Sequence, residues 1–193
     1  MRKLVYAMST TLDGYVKGRG DDISWSGPDD ELMDFHNQQT ERYDTSLYGR
    51  GLYENMASYW PHVPDDPAAD PRELEFARAW LKLRKVVFST TLESVEWNST
   101  LVRGDIVAEV ARLKAMPGRD MDLGGATLAA SFIRLGLVDE FQTWVHPVVL
   151  GGGTPFLPPL DSSFKMRLIE SRTFRSGVVY LRYEPVRAEP SGS

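Results

Sequence analysis

The chain has 193 residues, 42% hydrophobic and 25% charged, with a formal net charge of −5, the make-up of an ordinary globular domain. The acidic balance argues against nonspecific binding to nucleic acid or to an anionic membrane surface, while leaving room for a local basic pocket. The absence of cysteine excludes disulfides, thiolate metal centres, a cysteine nucleophile and a His/Cys/Cys zinc deaminase centre.

The first residues, Met-Arg-Lys, lead directly into Lys3–Ser9, a short apolar run that reads as a buried strand. With no long apolar segment or signal peptide, the expected setting is cytosolic. Residues 10–27 form a Gly-, Asp- and Ser-rich loop, long enough to be a lid or binding loop. Pro28 to about Tyr43 reads as a helix with Leu32, Phe35 and Gln39 on one face and Pro28 in its first turn. Thr45–Tyr48 is a strand ending at Gly49-Arg50-Gly51, followed by a short helix carrying Leu52 and Met56. His62–Pro71 is a solvated loop. Asp70-Pro71-Arg72-Glu73 resembles a capping box that opens a helix to about Leu83.

Lys85–Ser89 is a β-branched, buried-type strand, and Glu93–Val102 is extended. Asp105–Met116 is an amphipathic helix with Ile106, Val110 and Leu113 inward, stopped by Pro117-Gly118. A strand at about 119–123 then runs into Gly124-Gly125 and a helix whose Leu128, Phe132 and Leu135 share a face, with Gly136 at its C-cap. Glu140–Leu150 reads as a long strand in which Pro147 suggests an edge or a bulge. Met166–Phe174 and Val178–Pro185 form an antiparallel hairpin around Ser176-Gly177. The tail from residue 186 onward is small and polar, and disorder is expected there. Alternating strands and helices followed by a strand-rich end predict one α/β domain over 1–185. Its sheet is mixed and mainly parallel, with an antiparallel C-terminal edge.

Function concentrates at three strand ends. Gly124 and Gly125 sit at the mouth of a helix, where free backbone N–H groups and the positive end of the dipole suit a phosphate; a tight turn that merely needs glycine is the alternative. Gly49-Arg50-Gly51 repeats the arrangement, and Arg50 offers a bidentate fork, unless it is simply a surface arginine on a turn. Ser89-Thr90-Thr91 adds hydroxyls that could equally cap a turn. Parallel strands bring all three to one sheet edge, a cleft for a ligand with more than one phosphate, such as a dinucleotide. No G-x-G-x-x-G fingerprint, G-x-S-x-G elbow or H-E-x-x-H metal motif is present. His36, His62 and His146 are far apart in sequence, and His146 reads as a core or interface residue. Trp25, Tyr59 and Trp60 could stack on a planar ring or cover a core edge.

Four segments carry a resemblance that runs from residue 2 to about 184: MSTTLDGYV at 8–16, SLYGRGLYE at 46–54, residues 85–91 with Glu96-Trp97-Asn98, and LGGATLAASFIRLGLVDEFQTWVHPVVLGGG at 123–153. They resemble the dihydrofolate reductase superfamily, in the branch of the C-terminal reductase domain of bacterial riboflavin deaminase–reductases. The resemblance implies a three-layer α/β/α fold, NADPH as cofactor and a homodimer. By position, Gly124, Gly125, Ala126 and Thr127 would face the pyrophosphate, and Gly49 and Arg50 the adenosine-side phosphates. Ser89 and Thr90 would lie near the 2′-phosphate, with Ala7, Asp13 and Gly14 bordering the nicotinamide. The resemblance also implies that the paired glycines often hold a cis peptide. A substrate reduced by hydride needs a proton. The helix after the first loop offers Glu31 and Asp34, with Asp13 a further candidate; solvated carboxylates at a helix start, or a turn-stabilising aspartate, are the alternatives. The expected function is NADPH-dependent reduction of a small heterocyclic or carbonyl-type substrate, of the kind of 5-amino-6-(5-phosphoribosylamino)uracil. A binding protein that keeps the cleft without catalysis, and a purely structural dimerisation module resting on the apolar strands at 141–150 and 178–183, are the rival readings.

Overall fold

The structure, a computed structural model, describes residues 1–186. Eight strands form one sheet in the order β5-β4-β3-β6-β1-β7-β10-β9. They are β1 (Leu4–Thr11), β3 (Tyr43–Gly49), β4 (Arg84–Phe88), β5 (Ser99–Val102), β6 (Asp120–Gly124), β7 (Glu140–His146), β9 (Met166–Thr173) and β10 (Val179–Pro185). Neighbours from β5 through β7 are parallel, and β10 and β9 add antiparallel to that block. A second, two-stranded ribbon joins β2 (Tyr15–Lys17) to β8 (Thr154–Pro155). The helices are α1 (Asp30–Thr40), α2 (Arg50–Tyr59), α3 (Pro71–Lys82), α4 (Ile106–Ala115) and α5 (Ala126–Arg134).

Side-chain alternation along the strands builds two apolar layers. Leu47, Val86, Leu123, Tyr6 and Phe141 meet in register across five strands and pack under Val110 and Leu113 of α4 and Ala129, Phe132 and Ile133 of α5. On the opposite face, Tyr48 and Val87 pack with Trp80 of α3 and Tyr53 of α2, while Leu32 and Phe35 of α1 pack with Trp144 and Tyr180. The result is the expected three-layer α/β/α arrangement with an antiparallel C-terminal edge.

Local chemistry moves several expected boundaries. Asp29 caps α1 by accepting from the Leu32 N–H at 2.8 Å, so Pro28 lies outside the helix and Tyr43 belongs to β3. Asp70 caps α3 through the Arg72 N–H, but Glu73 closes no reciprocal box and accepts from the Tyr59 hydroxyl instead. The 10–27 segment is no plain loop, because it holds β2. The segment expected as a solvated loop from His62 overlaps a 3₁₀ turn, Trp60–Asp65, that buries Pro61 and Val63. Leu135 is exposed, and α5 buries Ala126, Ala129, Phe132 and Ile133. Beyond it, Gly136 (φ 66°) and Leu137 return their N–H groups to Ile133 and Phe132, a Schellman stop. Pro147 neither bulges nor marks an edge: β7 is interior and ends at His146, and the edge strands are β5 and β9. Of the tail from 186 onward, all but Val186 lies outside the described residues.

Charge is buried where it is caged. Glu140, at the start of β7, is fully buried. Burial by itself would raise its carboxyl, but the Arg182 fork (2.8 and 3.0 Å), Gln142 (2.7 Å) and Arg42 (3.2 Å) outweigh that and hold it below the usual range. Glu140→Ala strands these cations, so we expect a loss of about 3–5 kcal/mol in chemical denaturation; Glu140→Ala within 1 kcal/mol of the parent would contradict that role for the cage.

Candidate functional site

Three cavities run side by side along the C-terminal edge of the parallel strands. The middle one, about 510 Å³, opens between the first turns of α2 and α5. Helices α1, α3 and α4 each begin with an aspartate whose side chain accepts from the first-turn amides. Helices α2 and α5 do not: their caps are Gly49 and Gly125, no side chain bonds their first N–H groups, and neither first turn carries an acid. Both uncapped ends face this one cleft, which Arg50, Asn55, Thr127, Ser131 and the ion-paired Lys17 and Asp21 also line. Such an arrangement suits an anion.

The two glycine turns interlock. A Cβ on Gly124 would meet Leu52 of α2 at 2.5 Å, and a Cβ on Gly49 would meet Leu128 of α5 at 3.3 Å. Gly125 adopts φ 91°, where a side chain is strained. Each helix thus approaches the other's turn closely, which keeps both N-termini at the same depth. Among the described residues no peptide bond is cis, so the Gly124-Gly125 link is trans.

The outer cavity, about 310 Å³, shares Phe88 and Leu128 with the middle one and is lined by Ser89, Thr90, Thr91 and Arg103. Ser89 acts as a turn cap, since its hydroxyl oxygen accepts from the N–H groups of Thr91 and Leu92. Arg50 donates to the Thr91 hydroxyl at 3.3 Å, which joins the two sites. Arg103, which the sequence reading omitted, donates to the carbonyl oxygens of Thr90, Leu92 and Glu93. The available signal was an arginine at a strand end just before Gly104 and the Asp105 cap.

The inner cavity, about 240 Å³, shares Met8 and Leu52 with the middle one. Ala7, Met8 and Ser9 of β1 form part of its floor, with Gly124 and Asp122 of β6; Tyr48, Trp80 and Trp144 wall it. His36 of α1 lines it too. Burial, with the nearby His146, lowers the His36 imidazole to about 4, so it is neutral at pH 7. Asp122 was also absent from the sequence reading, because alternation marks it only as one polar residue in a short strand.

The predicted site residues divide between these places. Ala7 and Gly124 reach the inner cavity; Gly49, Arg50, Gly125, Ala126 and Thr127 the middle one; Ser89 and Thr90 the outer one. Asp13 and Gly14 line none of the three. The Asp13 carboxylate accepts from the Thr11 hydroxyl (2.6 Å), the Gly151 N–H (2.7 Å) and the Leu150 N–H (3.1 Å). Those bonds, led by Thr11, hold it below the usual range, and they tie the first loop to the 147–153 segment. Glu31 pairs with Arg172 and accepts from the Arg175 N–H, and Asp34 pairs with Arg72 at 2.7 Å; neither lines a cavity. Trp25 lies edge-on to His146, and Tyr59 and Trp60 pack around Met56, Phe76 and Glu73; none of the three lines these cavities, although Met56 and Phe76 line the inner one. No group of three potential metal ligands occurs among the described residues.

An α/β/α sandwich with confluent cavities at the ends of its parallel strands defines a protein of the dihydrofolate reductase-like fold. The chain belongs to the RibD C-terminal domain family, whose match spans residues 2–180. It is 37% identical over 185 residues to the uncharacterized protein YyaP of Bacillus subtilis (strain 168), with 94% of each chain covered. Its fold is similar to that of a Shewanella sp. PV-4 protein named for riboflavin biosynthesis (TM-score 0.73, 22% identity, 96% of this chain and 99% of that one). It is also similar to dihydrofolate reductase from Enterococcus faecalis complexed with NADP(H) (TM-score 0.63, 15% identity, 95% and 96%). Among the described residues no helix is long and apolar enough to cross a membrane.

Because Leu52 occupies the space a Cβ would need, Gly124→Ala should cost about 1–3 kcal/mol. In a double-mutant cycle, Leu52→Ala should recover part of that loss; strict additivity would show that the two turns are not coupled.

Proposed function

We propose that the protein is an NADPH-dependent reductase of a small heterocyclic or carbonyl-type substrate. The observation that carries this reading is the pair of uncapped helix N-termini facing one cleft, flanked by an arginine-bearing cavity on one side and a nearly apolar one on the other. The middle cleft matches a pyrophosphate, held by the first-turn amides of α2 and α5 with Arg50 and Thr127. The outer cavity, with Ser89, Thr90 and Arg103, suits the adenosine end and its 2′-phosphate. The inner cavity takes the substrate ring beside Ala7 and Met8. Bound in this way, the cofactor would supply a hydride, a hydrogen nucleus carrying two electrons, to the substrate. The Enterococcus faecalis neighbour of the same fold is complexed with NADP(H), which supports a nicotinamide cofactor as the ligand.

We also propose that two chains associate through a sheet edge. The apolar strands 141–150 and 178–183 lie largely in interior strands, so they are not free to pair. Of the two edge strands, β5 and β9, it is β9 that exposes large apolar side chains, Leu168 and Ile169. In this proposal two copies meet there as a homodimer, and light scattering should give twice the 21.8 kDa chain mass; a monomer would exclude it.

The cofactor reading predicts that NADPH raises the melting temperature, because a ligand at about 100 times its Kd adds about 2.7 kcal/mol to the native state. Arg103→Ala should weaken NADPH about tenfold and leave NADH nearly unchanged. No shift at millimolar NADPH would remove the proposal.

A further inference from the structure

The inner cavity contains an acid in an unusual setting. Asp122 stands in the middle of a row that runs across the sheet on the face of α1, α2 and α3: Lys85, Ser46, Asp122 and Val5 are successive register partners on β4, β3, β6 and β1. Lys85 does not neutralise it. The Lys85 ammonium is turned to the C-terminal end of α3, where it donates to the carbonyl oxygens of Trp80 (2.5 Å) and Leu83 (2.8 Å) and lies 4.0 Å from the Trp80 ring centroid. The Asp122 carboxyl has one hydrogen-bond partner among the described residues, the Ser46 hydroxyl at 3.2 Å. A carboxylate with one neutral donor and aromatic walls is poorly solvated. Burial pushes the group up to about 7, the Ser46 hydroxyl opposing.

The cavity is also without cations at neutral pH. Its lining holds no lysine or arginine, and His36 is neutral. The free helix ends and Arg50 face the middle cleft instead. A phosphate monoester in the inner cavity would therefore meet neither a guanidinium nor a row of amides, and would face an acid.

We propose that this cavity takes an uncharged, planar ring that bears a carbonyl or imine group and no phosphate, and that Asp122, as a neutral carboxylic acid, donates a hydrogen bond to that group and supplies the proton when the ring is reduced. The inference rests on the reductase reading. The hydride adds to the carbon of the C=N or C=O bond, whose π pair moves to nitrogen or oxygen and takes the Asp122 proton. The substrate gains two electrons, the nicotinamide loses the same two, and the carboxylate regains a proton from solvent through the cavity mouth. This assigns to β6 the role that Glu31, Asp34 and Asp13 cannot fill while their oxygens are held by partners outside the cavity.

The titratable groups facing Asp122 are Tyr43 and Tyr48 of β3, His36 of α1 and, two steps along the row, Lys85 of β4; the residues that α2, α3, β1 and β7 contribute to the lining bring none. The folded state keeps a proton that the unfolded chain sheds near pH 3.8. This group's contribution is therefore fully present below about pH 4 and is lost as pH rises through about 7. His36, lowered from 6.5 to about 4, titrates in the opposite sense, so the difference between the parent and Asp122→Asn isolates the aspartate.

The test uses ring binding, read by tryptophan fluorescence in the presence of NADP⁺, with 5-amino-6-(ribosylamino)uracil and its 5′-phosphate as the probe pair. The unphosphorylated form should bind at least tenfold more tightly. Its affinity should fall about tenfold per pH unit above 7 in the parent and stay flat in Asp122→Asn, whose melting-temperature rise with NADPH is unchanged. Ser46→Ala, which removes the hydroxyl that favours the carboxylate, should move the midpoint of that profile to higher pH. Tighter binding of the phosphate, no binding of either form, or a parental pH profile in Asp122→Asn overturns the inference. Any of these results alongside a normal NADPH shift leaves the reductase reading standing, whereas loss of the NADPH shift overturns that reading.

Discussion

The close approach of two helices over two glycines governs the rest of this structure. Parallel strands deliver Gly49 and Gly124 to the same edge, and each is followed at once by a helix. Leu128 of one helix packs on the glycine of the other strand, and Leu52 returns the contact. A side chain at Gly124 would push the helices apart, so the glycines do more than permit a turn. They let two helix ends converge with their amides free, and the three cavities form around that convergence.

Environment, more than residue type, sets the roles of the carboxylates. Glu140 and Asp122 both lie within the sheet, but one is gripped by an arginine fork with a second arginine nearby and stays ionised, while the other has a serine hydroxyl and aromatic neighbours and is raised towards neutrality. Glu140 gives its oxygens to structure. Asp122 faces a cavity, its carboxyl raised by burial to about 7. Glu31, Asp34 and Asp13, more exposed, are occupied by Arg172, Arg72 and the 150–151 amides, which makes them staples between segments.

Much of the site was legible because its signals are local. Strand–glycine–helix passages at 49–51 and 124–125 announce free helix ends, and parallel alternation sends both to one edge. Ser89 and Thr90 belong to the same edge for the same reason. Arg103, Asp122 and Lys17 were not legible. Each reaches a cavity only because of a strand partner distant in sequence: β6 beside β3 puts Asp122 next to Ser46, and the β2–β8 ribbon brings Lys17 against Thr154.

Local sequence carried the layered α/β class, the helix cap at Asp70 and the glycine turns that leave two helices uncapped, since each depends on residues within a few positions of one another, whereas the caps at Asp29 and Asp105 came from the structure. Tertiary packing alone settled that β7 is interior and β9 an edge strand, that His36 and His146 are neighbours, and which carboxylate stands in a cavity. Those outcomes depend on strand order and long-range register, and on the burial that follows from them, and no local pattern of side chains encodes these.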